Sequence, residues 1–359
     1  MLVKKTLYGF DDVTIMPTRI TYLKSRSEVK EDINKLLWAS PMDTVIDENN
    51  YELFHDSGVN VPIVRGMWKL LDVNTIPPVI VSLTIKEARD LILGTDKELQ
   101  AFRERYVERF GTFNLLIDVA NGHMDHLIKL VKGIKTKAYK TEIGVGNIAN
   151  PDTYIEYVEA GCDWIRVGIG TGSRCHTSSK TSVHYPMISL LDEIKTFKQK
   201  FSFKTKIIAD GGFRDSSDIV KALAVGADGV MLGSIFNKTI ESAGQKYIKH
   251  NTNNLSMHSN GECTNEEAKE YFDIGTTVEV DYRGMSTIAV QEKENGSHKN
   301  YEEGFSKRNV VKYTLEDCLY EINYAVKSAF SYCNAKTLKE FQEKSKLYLI
   351  NNLNNHNRL

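Results

Sequence analysis

The chain has 359 residues, of which 41% are hydrophobic and 26% charged, an ordinary globular composition. With 46 basic and 47 acidic residues the formal net charge is −1, so no global field draws the chain to nucleic acid or to a membrane surface. Five irregularly spaced cysteines make no disulfide framework, the apolar runs are too short to cross a bilayer, and the N-terminus reads as lacking a signal peptide, which together point to a cytoplasmic setting.

In chain order, short β-rich runs alternate with helix-like ones. Strands are predicted over 36–40, 60–64, 79–83, 114–118, 141–145, 164–168, 206–210 and 229–232. Most are continuous apolar runs, the pattern of parallel strands covered on both faces. Between them, 125–134, 151–160, 187–197 and 216–225 carry amphipathic helical spacing. Pro151 after Asn150 marks a helix start, and Gly161 and Gly226 fall at helix ends. Eight such strands predict an α/β fold, a (β/α)8 TIM barrel, as a single domain over 1–349. The rhythm breaks over 234–314, which is rich in Asn, Ser, Glu, Lys and Gly and is expected to be a mobile lid after the eighth strand. Closing helices are predicted over 315–330 and 338–349, and 350–359 reads as a frayed tail.

Polar residues collect at the carboxyl ends of the predicted strands: Asp43, Arg65, Asp118, Asn121, Asn147, Cys175, Asp210 and Gly233. In a barrel those ends converge on one rim, where active sites are built. Cys175 lies in a glycine-studded loop, Gly168-Ile169-Gly170-Thr171-Gly172-Ser173-Arg174-Cys175-His176-Thr177, which delivers a thiol into polar surroundings. A free thiol is only a few per cent ionised at neutral pH, so a nucleophilic one needs a base, a cation or oriented amides. Thr177 suits either a proton relay or a turn hydroxyl. No helix opens within these glycines, which excludes a dinucleotide fingerprint. Exposed carbonyls there suit a monovalent cation such as K+, with Gly168, Gly170 and Cys175 as candidate ligands.

Asp210-Gly211-Gly212 and Gly233-Ser234 follow the seventh and eighth predicted strands. In barrels these loops frequently hold a phosphate on backbone N–H groups. A carboxylate just before them repels phosphate but suits a ribose diol. Together they point to a nucleoside monophosphate. Asp118 is a rim carboxylate able to bind substrate or order water. Glu303 is a candidate for proton transfer, or a solvated surface glutamate beside Glu302.

These motifs, with Phe10-Asp11-Asp12-Val13, Leu23-Lys24-Ser25-Arg26-Ser27-Glu28-Val29, Ser40-Pro41-Met42-Asp43-Thr44-Val45 and Tyr282-Arg283-Gly284-Met285, resemble the IMP dehydrogenase / GMP reductase family along nearly the whole chain. The resemblance implies a (β/α)8 barrel and, from 23–29, 118–126 and the short span between Met285 and Glu303, the reductase branch. It implies that Cys175 attacks C2 of the purine of GMP, or of a related nucleotide such as dGMP, with Thr177 and Glu303 protonating the departing amine and NADPH as reductant. Ser173, Gly211, Gly212, Gly233 and Ser234 then match phosphate-binding positions, Asp210 a ribose position, and Arg283, Gly284, Met285 and Ser286 further substrate-binding positions. Asp118 and Asn121 match the cofactor side, and a homotetramer is implied as the assembly. The alternatives are IMP dehydrogenase, using NAD and forming xanthosine monophosphate, and a non-catalytic purine nucleotide-binding protein. Departures are Val64-Arg65-Gly66 in place of a His-Lys pair, Glu241-Ser242-Ala243-Gly244-Gln245 in a phosphate-side pattern, and Asn334 at a common glycine position.

Overall fold

A computed structural model describes residues 4–138, 140–171, 181–249, 261–284 and 306–350. After β1 (Val13–Met16) come eight parallel strands, β2 (Leu37–Ala39), β3 (Pro62–Ile63), β4 (Ile80–Leu83), β5 (Phe113–Asp118), β6 (Thr141–Ile148), β7 (Trp164–Val167), β8 (Lys206–Asp210) and β9 (Gly229–Leu232). Their order is β2-β9-β8-β7-β6-β5-β4-β3. The remaining seam, β2 to β3, closes through a parallel bridge between Trp38 and Asn60, with Ala39 N–H donating to Asn60 O at 2.9 Å and Asn60 N–H to Leu37 O at 3.0 Å. This is the expected (β/α)8 barrel.

Helices Asp125–Lys137, Pro151–Glu159, Met187–Phe201 and Ser216–Val225 start at the predicted residues. Asn150 caps the second of them by accepting from Asp152 N–H, ahead of Pro151 in the first turn. Two helices between β4 and β5, Ile85–Leu93 and Lys97–Phe110, are additional to the sequence reading. Their start signals are visible in hindsight: Thr84 and Glu87 form a reciprocal capping box, and Asp96 caps the second. Among the described residues no helix is long and apolar enough to cross a membrane.

One expectation needs correction. The span 338–349 is not one helix: it ends at Lys344, and β14 (Lys346–Leu349) pairs antiparallel with β1, Val13 opposite Leu349. A strand partner more than 300 residues away leaves no local signal. The span 234–314, read as a lid, carries regular secondary structure. Its described parts form the short helix Ser234–Asn237, β10 (Lys246–Ile248), β11 (Gly261–Cys263), helix Asn265–Asp273, β12 (Val278–Arg283) and the start of β13 (Ser306–Val310). The four strands make an antiparallel sheet, β11-β10-β12-β13, over a small core that includes Ile240, Ile248, Val278, Val280 and Val311. One buried face suffices for such a sheet, and the polar alternate residues mask it in composition.

The barrel interior is plugged by Trp38, Ile80, Leu116, Trp164, Ile208 and Met231, a cluster separate from the main core outside the strands. The two tryptophan rings meet at 4.8 Å between centroids. Glycines make room for them: a Cβ at Gly144 would lie 2.0 Å from the Trp164 ring, and one at Gly229 would lie 2.7 Å from Trp38 Nε1.

Candidate active site

Side chains two apart on a strand share a face. Two residues beyond the plug members on their strands stand Ser40, Ser82, Asp118, Arg166, Asp210 and Gly233. The barrel interior therefore changes from apolar to polar within one layer, on the side of the strands' carboxyl ends. At the centre of that layer Arg166 bridges two acids. Its Nη1 donates to Asp118 Oδ1 at 2.7 Å and its Nε to Asp210 Oδ2 at 2.9 Å. Asn147 Nδ2 adds a bond to the same Asp210 oxygen at 2.7 Å and one to Gly168 O at 2.7 Å. Arg65 Nε lies 3.5 Å from Asp118 Oδ2, so a guanidinium addresses each oxygen of that carboxylate. Desolvation opposes the charge on Arg166, but Asp210 and Asp118 outweigh it and raise its pKa. Ser82 is fully buried in this layer, and its hydroxyl has no hydrogen-bond partner among the described residues.

Beyond Asp210 the backbone passes through two left-handed glycines, Gly211 (φ 85°) and Gly212 (φ 84°), a pair that only glycine adopts without strain. Thr171 Oγ1 donates to Asp210 O at 2.8 Å and so ties the end of β7's loop to this turn. Gly233 is shaped by crowding: a Cβ there would meet Tyr282 Oη at 2.5 Å, Met42 Sδ at 3.3 Å and Ser40 Oγ at 3.3 Å. The small sheet thus reaches the rim through β12. The next residue, Arg283, forks onto Asp43 with Nε–Oδ1 at 3.1 Å and Nη2–Oδ2 at 2.5 Å.

The structure brings Asp118, Asp210, Gly211, Gly212, Gly233, Ser234 and Arg283 to the barrel's carboxyl-end side, as the strand ends imply. Three of them are already engaged, since Asp118 and Asp210 are paired with Arg166 and Arg283 with Asp43. Asn121 is exposed, and its side-chain oxygen accepts from His123 N–H at 3.0 Å. The Gly168 carbonyl, a candidate cation ligand, accepts from Asn147. Gly170 is described, and Gly284 ends its described segment. Ser173, Cys175, Thr177, Met285, Ser286 and Glu303 lie outside the described residues. Sequence reading passed over Arg166, although a lone charge inside the apolar strand Trp164–Val167 is itself a signal.

The four described cysteines, Cys162, Cys263, Cys318 and Cys333, are free and buried. Burial pushes every one of these thiols up, Cys318 to about 12. They stay protonated at neutral pH and are poor nucleophiles.

The sequence model of the IMP dehydrogenase / GMP reductase domain matches residues 7–356. Similar proteins include the inosine-5'-monophosphate dehydrogenase of Staphylococcus haemolyticus, 31% identical over 86% of this chain. Those of Cryptosporidium parvum and Chlorobaculum parvum are each 32% identical, over 68% and 65% of this chain. The matched stretches span 61%, 56% and 44% of the three relatives' own lengths.

Proposed function

Because the chain belongs to the IMP dehydrogenase / GMP reductase family, we propose that it is an oxidoreductase acting at C2 of a purine nucleoside monophosphate. The direction we assign is reductive: GMP, or a relative such as dGMP, becomes IMP and ammonia. The observation that carries the mononucleotide reading is the end of β8. Asp210 Oδ2 is held by Arg166 and Asn147, and the tandem glycines follow at once. A fixed carboxylate suits a ribose diol, and the side-chain-free turn suits a phosphate on backbone N–H groups.

In this reading the Cys175 thiolate forms a bond to C2 and the C2–amine bond breaks. Thr177 and Glu303 deliver the proton that lets the amine leave as ammonia. The residues that would hold a nicotinamide are those of the rim near β5, the exposed Asn121 foremost, because both Asp118 oxygens are taken by Arg166 and Arg65. When bound, a reduced nicotinamide dinucleotide, NADPH, would supply the hydride that replaces sulfur at C2. The protein's share is to hold the base against the thiol, fix the Asp118 carboxylate between two arginines and supply the proton.

A second reading, IMP oxidation with NAD, is favoured by the names of the relatives. A spectrophotometric screen of GMP, dGMP and IMP against reduced and oxidised nicotinamides decides between them. NADPH consumption with ammonia release from GMP supports the reductive assignment. Turnover of IMP with NAD alone transfers it to the dehydrogenase, and tight nucleotide binding without turnover leaves a binding protein.

A further inference from the structure

The Phe10-Asp11-Asp12-Val13 motif has no part in the chemistry above, yet it packs directly against the turn after β8. Phe10–Asp12 form a single 3-10 turn. The Phe10 ring edge lies 3.4 Å from the point where a Cβ on Gly212 would be, and its centroid is 5.4 Å from that of Phe213. Asp11 accepts a two-pronged pair from Arg214, Nη1–Oδ2 at 2.8 Å and Nη2–Oδ1 at 2.7 Å. The same guanidinium grips Asp218 on its other side, Nε–Oδ2 at 2.9 Å and Nη2–Oδ1 at 3.0 Å. The backbone N–H of Arg214 also donates to Asp218 Oδ2, at 3.1 Å. Asp218 is fully buried, and behind it the buried Lys221 ammonium donates to Phe10 O at 2.8 Å.

Two consecutive glycines make the most deformable backbone a chain can contain. Gly211 and Gly212 have no side chains with which to brace themselves, so whatever aims their N–H groups must act from outside. Asp210 anchors the turn on its upstream side, and Arg214, two residues past Gly212, is the charged anchor downstream. Its planar guanidinium is held between one carboxylate from the N-terminal turn and one from the following helix, a geometry that charge-assisted paired bonds make stiff.

We propose that Arg214, clamped between Asp11 and Asp218, is a positioning residue for the phosphate-binding turn Gly211–Gly212. The turn Phe10–Asp12 thereby belongs to the nucleotide site without touching the ligand. This inference rests on the mononucleotide reading and predicts its own kinetic signature. A misaimed phosphate turn weakens binding of the phosphorylated substrate alone.

The test compares the full-length wild type with Asp11→Asn, Arg214→Lys and Arg214→Met, using GMP, guanosine and inorganic phosphate as a competitor. Asp11→Asn and Arg214→Lys raise KM for GMP about tenfold and weaken phosphate competition by a similar factor, with a smaller change in kcat. The response to guanosine, which lacks the phosphate, stays at the wild-type level. If Arg214→Met fails to fold, the other two variants still carry the test, because both leave Asp218 a cationic partner. Unchanged KM for GMP in the folded variants, or an equal rise for guanosine, overturns the clamp while the functional reading stands. A wild type that binds neither GMP nor IMP overturns that reading, and the clamp with it.

Discussion

Arg166 is where burial and charge meet most directly. With Asp118 and Asp210 it forms a triad whose side chains are only 11–15% exposed. Removing one member of a buried pair leaves an uncompensated charge, which typically costs about 3–5 kcal/mol. Arg166→Met is therefore expected to lower unfolding free energy by about that amount in urea denaturation and to cut turnover sharply, because both acids lose the guanidinium that joins them, leaving Asp118 to Arg65 and Asp210 to Asn147. His123 predicts a pH effect. Its Nε2 accepts from Ala149 N–H at 3.0 Å, so the ring proton sits on Nδ1, 2.9 Å from Thr153 Oγ1. Crowding by the protein lowers its pKa. The unfolded chain then takes up the proton first, near pH ~6.5. The histidine's contribution is full above that pH and is lost as pH falls toward the folded value. His123→Gln keeps an acceptor without titrating, and its stability relative to wild type should rise between neutral and mildly acidic pH. Thiol chemistry gives a third outcome. Because burial raises the other four thiols, alkylation of the native protein should label Cys175 alone, and Cys175→Ala should lose both the label and turnover.

At the scale of elements, the small residues of the barrel strands are fitted around the tryptophan plug. Gly144 on β6 sits where the Trp164 ring passes, with 2.0 Å to any added Cβ. Neither the backbone nor an indole wedged against Trp38 can yield cheaply. Gly144→Ala is expected to destabilise by about 1–3 kcal/mol or more through overpacking, read as a lower denaturation midpoint. The same interdependence governs the small sheet. β12 alternates buried Val278, Val280 and Tyr282 with partly exposed Glu279, Asp281 and Arg283, so one register both fills the sheet's core and sends Tyr282 to Gly233 and Arg283 to Asp43. A one-residue slip would undo both.

For the molecule as a whole, the first and last described strands meet. β14 pairs with β1, and Ile350 N–H donates to Asp12 O at 2.9 Å, directly behind the Phe10–Asp12 turn. Truncation after Ser345 removes this strand while leaving the barrel and its plug intact. Little apolar surface goes with it, since only Leu347 of the strand is partly buried. The expected result is a folded protein with a modestly lower Tm and weaker GMP binding, measured by calorimetry and KM.

Sequence alone was enough for the barrel, because most of its strands are short apolar runs and each except the last pairs with the next strand along the chain. It also sufficed for the rim residues, since polar groups at strand ends must converge once the strands are parallel. The tandem glycines after Asp210 were legible for the same local reason. Pairings between distant segments were not. Arg166 with both acids, Arg283 on Asp43, Arg214 on Asp11, and β14 on β1 all join residues that no periodicity relates. An ion pair or an edge strand is specified by where the fold sets two segments side by side, and that juxtaposition exists only once the chain has closed.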